Sequence, residues 1–126
     1  MEKKIINTSQ APAPIGPYSQ AVQTGNLLFL SGQVAINPAT GKVEATDIIG
    51  ETHQVMHNLR AVLTEARLSF DHVVKTTILL SDMSLFTEVN EVYGKYFKSA
   101  FPARETVAVK GLPKDANVEI SMIAAE

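Results

Sequence analysis

The chain has 126 residues, 45% apolar and 19% charged, with 11 basic against 13 acidic side chains and a net charge of −2. That size and balance describe one globular domain with a core of its own, and no block of like charge offers a nucleic-acid footprint. With no cysteine in the sequence, a disulfide framework, a thiolate zinc site and a thiol nucleophile are excluded.

The first ten residues, MEKKIINTSQ, carry a short basic head, but only Ile5 and Ile6 follow it before polar residues resume. That is too little for a signal peptide, and no apolar run is long enough for a membrane helix. A cytoplasmic protein is expected.

Lys3 to Asn7 reads as a short strand. Ala11 to Tyr18 follows, with three prolines that fix φ and remove donors, so an ordered loop is expected. Tyr18 ends it, and its position favours a core anchor over a cavity wall. Ser19–Thr24 and Leu27–Gly32 form a hairpin about Gly25-Asn26, a pair suited to a primed turn. Leu27 to Leu30 is apolar at every position, as in a strand buried on both faces. Gly32 at its end permits close approach of a backbone or ligand, and Asn37 to Gly41 is a turn.

Thr46 or Asp47 caps a helix expected to reach about Leu68, with Val55, Met56, Leu59, Val62, Leu63 and Ala66 as its apolar stripe. Val73–Ser81 is the next strand. Ser84 caps a second helix to about Ser99, with Phe86, Val89, Tyr93 and Phe97 on one face. Phe101 to Glu126 supplies two final strands. The result is one α+β domain, a sheet of about six strands with two helices on one face. Two helices cover only one face, so the apolar residues on the other call for a closed homo-oligomer.

Several candidate sites have a plain structural reading. His53 and His57 are four apart on the first helix, but Gln54 stands where a zinc-protease motif needs glutamate, and both lie opposite the apolar stripe on a solvated face. No phosphate-binding glycine motif and no serine-nucleophile elbow are present. Arg104 and Glu119 are the exceptions: a guanidinium and a carboxylate on strand positions expected to pack. Two readings stand, an ion pair across adjacent strands or a small site. In the second, Arg104 grips a carboxylate through paired hydrogen bonds and Glu119, its pKa raised among apolar walls, works as acid or base.

Read together, Ala13-Pro-Ile-Gly-Pro-Tyr18, Leu30-Ser-Gly-Gln33, Asn37 to Gly41, Val74 to Thr77, Val89 to Tyr93, Pro102-Ala-Arg104, Gly111 to Asp115 and Val118-Glu119-Ile120 resemble the Rid/YjgF family of reactive intermediate deaminases, with its RidA subgroup nearest. The resemblance implies a chorismate-mutase-like homotrimer with sites between subunits. It implies hydrolysis of 2-aminoacrylate, 2-aminocrotonate and their imine tautomers to 2-keto acids and ammonia, without cofactor or metal. By the same resemblance Arg104 binds the substrate carboxylate and Glu119 activates water. Thr106, Tyr18, Ser31, Gly32 and Asn90 line the site. Thr106 stands where many relatives have cysteine. Glu105 is unlike the small residue expected there, and strand alternation turns it to the face opposite Arg104. Other readings are a non-catalytic small-carboxylate-binding regulator using the same cleft, and a chaperone-like or RNA-cleaving protein, the RNA role disfavoured by the acidic charge.

Overall fold

The computed structural model describes residues 2–126. Its elements in chain order are β1 (Lys4–Ile6), β2 (Ala21–Thr24), β3 (Leu27–Gln33), β4 (Ile36–Asn37), β5 (Lys42–Val43), α1 (Ile48–Glu65), β6 (Val73–Leu80), α2 (Phe86–Gly94), β7 (Ala103–Ala108) and β8 (Val118–Ala125). Six strands make one mixed sheet in the order β1-β2-β3-β8-β6-β7, and β4 pairs with β5 as a separate ribbon. Only β6 and β7 run parallel, joined through α2. The expected α+β layer pair is therefore present, with the 37–41 turn flanked by a small ribbon.

Local chemistry explains the boundaries. Asp47 accepts from Gly50 N at 2.8 Å and caps α1. The helix stops at Glu65, short of Leu68, because Arg67 turns left-handed at φ 62°. Arg67 N then reaches Thr64 O and Leu68 N reaches Leu63 O, each at 2.9 Å, which satisfies the last carbonyls. The second helix is shorter than its stripe implies. Asp82, not Ser84, caps a 3-10 turn that leads into α2, and the helix ends at Gly94. Phe97 lies beyond it yet is buried. Gly25, at φ 58°, supplies the positive φ that turns β2 into β3; Asn26 does not need one.

Val55, Met56, Leu59, Val62 and Leu63 of α1 pack with Val89 and Tyr93 of α2 against Leu28, Leu30, Ile78, Leu80, Ile120 and Met122 of the sheet. The alternation of β8 fixes the geometry. Val118, Ile120, Met122 and Ala124 are buried under the helices; Glu119, Ser121, Ile123 and Ala125 face the other way. That other face is open. Phe29 is 42% exposed there, so β3 is buried on one face in the single chain, not on both.

Candidate active site

The suspect pair is not an ion pair across adjacent strands. β6 lies between β7 and β8. Arg104 is in register with Thr76, and Glu119 with Leu79. Thr76 is wholly buried beneath the helices while Leu79 points to the open face. Arg104 and Glu119 therefore stand on opposite faces of the sheet, and within one chain they build two separate hollows.

The Glu119 hollow, about 340 Å³, is lined by Tyr18, Ser31, Gly32 and Glu119 with apolar walls from Pro12, Ile15, Val34, Ile36 and Pro113. Its shape comes from a bulge. Between Leu30↔Met122 and Gln33↔Ile120, β3 carries Ser31 and Gly32 where β8 has only Ser121. A Cβ built on Gly32 would come within 2.5 Å of Glu119 Oε2, so glycine there is what admits the carboxylate. The close approach expected at Gly32 is thus made by a side chain of the same protein. Burial among these walls raises the Glu119 pKa above its ordinary value.

Ser31 is tied down on both sides: its Oγ donates to Ser19 O at 2.5 Å and its backbone N to Gln20 O at 2.9 Å. The proline-rich wall hangs on Gln20, which is 2% exposed. Gln20 Oε1 accepts from Thr8 N at 2.7 Å while Nε2 donates to Thr8 O and Pro12 O at 3.0 and 2.9 Å. Tyr18 is not a core anchor. It is 48% exposed, lines the hollow, and its hydroxyl accepts from Ile15 N within its own loop.

The Arg104 hollow, about 350 Å³, is lined by Asn90, Tyr93, Gly94, Phe101, Pro102 and Arg104. The guanidinium lies 5.1 Å from the Tyr93 ring centroid and 5.8 Å from that of Phe86. Two residues along β7 on the same face, Thr106 has a buried hydroxyl oxygen without a hydrogen-bond partner. Glu105 turns to the open face, where it accepts from Thr77 and pairs with Lys75 at 3.0 Å. Among the described residues that is the one ion pair, so neither Arg104 nor Glu119 has a charged partner.

Two arrangements were not foreseen. Glu51, 5% exposed in the first turn of α1, accepts from Asn117 N at 2.7 Å, Asn117 Nδ2 at 3.0 Å and Val118 N at 3.3 Å, fixing the entry to β8 one residue before Glu119. Its position in the sequence marks it only as a carboxylate suited to the helix dipole. His53 is not simply solvated: its Nδ1 lies 2.6 Å from the Tyr96 hydroxyl. His57 is exposed beside Arg60, and partial burial, then Arg60 and His53, lower its pKa. Among the described residues no cluster of three metal-ligating side chains is present, and no helix is long and apolar enough to cross a membrane.

Known proteins resemble the chain over nearly its whole length. Residues 8–126 match the family model described as Endoribonuclease L-PSP. The chain is 51% identical to protein DfrA of Myxococcus xanthus over 98% of this chain and 96% of that protein. It is 44% identical to the mouse 2-iminobutanoate/2-iminopropanoate deaminase, over 98% and 92% respectively. Among solved structures, the Rid-family protein YyfA of Yersinia pestis superposes with a TM-score of 0.96 at 47% identity, covering 99% of this chain and 100% of that one. Escherichia coli TdcF with bound serine superposes with a TM-score of 0.93 at 38% identity, covering 98% of each chain.

Proposed function

The chain belongs to the Endoribonuclease L-PSP family, the Rid/YjgF proteins, and from that premise we propose that it is a hydrolytic deaminase of 2-enamino and 2-imino acids, including 2-aminoacrylate and 2-aminocrotonate, with its site assembled between copies in a homotrimer. The relatives named as 2-iminobutanoate/2-iminopropanoate deaminases and as a reactive intermediate deaminase support the reaction class, and the serine-bound neighbour supports a small amino-acid-like ligand.

One observation carries the assembly. An unpaired carboxylate sits in a hollow at the open face, and an unpaired guanidinium sits under the helix face of the same sheet. One chain cannot bring them to one ligand; a neighbouring copy can. The exposed apolar side chains Ile5, Phe29 and Val107 give copies a reason to close on one another.

In the assembled site Arg104 of one copy holds the substrate carboxylate through two parallel hydrogen bonds, a geometry a planar guanidinium suits. Glu119 of the next holds a water against the flat imine carbon and takes its proton as the oxygen–carbon bond forms. The C=N π electrons move to nitrogen, which receives that proton back from Glu119. The carbinolamine then collapses: Glu119 takes the hydroxyl proton and passes it to nitrogen, the C–N bond breaks as the C=O bond forms, and ammonia and the 2-keto acid are released. The imine already hydrolyses in water, so positioning and one general base suffice. Tyr18, Ser31, Gly32, Asn90 and Thr106 shape the two half-sites, and no step calls on a cofactor.

A non-catalytic carboxylate-binding regulator would also use Arg104, but it has no need of a carboxylate whose pKa is raised by burial. The deciding assay generates 2-iminobutanoate in situ with a threonine dehydratase and follows 2-oxobutanoate. Catalytic amounts of the protein should speed its appearance. Unchanged decay with measurable binding of 2-oxobutanoate would establish the regulator instead.

A further inference from the structure

Arg104 is held without a counter-charge, and the structure shows what takes its place. Tyr93 on α2 is 4% exposed. Its hydroxyl donates to Thr76 Oγ1 at 2.9 Å, and Thr76 is the β6 residue in register with Arg104. The ring is thus pinned to the strand beside the arginine. Phe97 backs it with a centroid distance of 4.9 Å. The guanidinium lies 5.1 Å from the Tyr93 centroid and 5.8 Å from that of Phe86, both within the range of cation–π attraction.

A carboxylate partner would hold Arg104 in place by occupying its N–H groups. A ring face attracts the charge and leaves those groups free. Long side chains otherwise lose affinity through the rotamer entropy frozen on binding. We propose that Tyr93 is the positioning residue of Arg104: its ring, pinned to Thr76, forms with Phe86 an aromatic cradle that presents the guanidinium to an anion with its donors unspent. The inference rests on Arg104 being the carboxylate anchor, and it assigns the readiness of that anchor to a helix residue with a core hydrogen bond.

The test measures binding of 2-oxobutanoate and of its neutral amide to wild type, Arg104→Ala, Tyr93→Leu, Tyr93→Phe and Thr76→Val, with the thermal midpoint of each. Tyr93→Leu should weaken the carboxylate ligand roughly tenfold, the scale of a desolvated cation–π contact, and leave the amide within about twofold. Tyr93→Phe should recover most of the loss, because the ring remains. Thr76→Val keeps the core volume and touches no ligand, so it serves if Tyr93→Leu does not fold; it should weaken the carboxylate by a smaller factor and spare the amide. Equal losses for carboxylate and amide, or none for either, in the folded variants would overturn the cradle. If Arg104→Ala itself binds 2-oxobutanoate like wild type, the anchor reading fails first. If only Arg104→Ala loses binding, the anchor stands and the cradle alone is refuted.

Discussion

The two hollows handle charge in opposite ways. At the β3–β8 bulge, a carboxylate is set among apolar walls with nothing to neutralise it, and burial raises its pKa. At the β7–α2 edge, a guanidinium is set against two aromatic faces that steady it without neutralising it. The first region tunes a proton affinity; the second holds a permanent charge ready. A site that must grip an anion at one end and move a proton at the other needs both treatments. Separating them on opposite faces of one sheet keeps the two charges from pairing within one chain.

The largest break in that comparison comes from Glu119→Gln, which keeps shape and removes the base. Deaminase kcat should fall about 10²- to 10⁴-fold, the usual range for a general base, while 2-oxobutanoate binding persists. The same variant sharpens the electrostatic claim. Glu119 has a folded pKa above its ordinary value, so its stabilising protonation is complete at low pH and lost as pH rises through the raised value. Glu119→Gln should therefore be more thermostable than wild type at neutral pH, and the difference should vanish in acid. A lower midpoint at neutral pH would contradict the burial argument.

Arg104→Ala acts on the other hollow. Loss of a bidentate charge-assisted grip of about 3 kcal/mol should raise KM about a hundredfold with the fold retained, and steady-state kinetics against circular dichroism separates the two. Gly32→Ala should be milder. Its methyl meets Glu119 Oε2 at 2.5 Å, so the carboxylate must shift, and a fall of about tenfold in kcat is expected from the misplaced base. The smallest effect is the pH profile. Wild-type kcat/KM should decline as pH falls through the raised Glu119 pKa, and Glu119→Gln should flatten that limb.

Much of this was legible in the chain. The Val55–Leu63 stripe had to become a packed helix with Thr46 or Asp47 as its cap, and Gly25 a turn, because each is decided within a few residues; the structure selects Asp47. Arg104 and Glu119 stood out because strand positions rarely carry lone charges. Their separation did not show. β6 enters the sheet between β7 and β8 although it precedes both, and pairing of that kind depends on the whole sheet. Glu51 and Gln20 were hidden for a related reason: each satisfies backbone groups of a loop distant in sequence, Asn117 in one case and Thr8 to Pro12 in the other. Tyr93 is core, as its stripe implies; only the register of Thr76 beside Arg104 gives it a second duty.

The central claim is that one chain's Arg104 serves its neighbour's Glu119, and subunit complementation tests it most directly. Arg104→Ala and Glu119→Gln, each strongly impaired alone when substrate is well below KM, are unfolded, mixed in equal amounts and refolded together. Sites between copies regain both native residues when an Arg104-bearing chain meets a Glu119-bearing one, about a quarter of random pairings, so activity should return to roughly a quarter of wild type. Mixed assemblies that form but stay inactive would contradict the shared site and return both residues to a single chain.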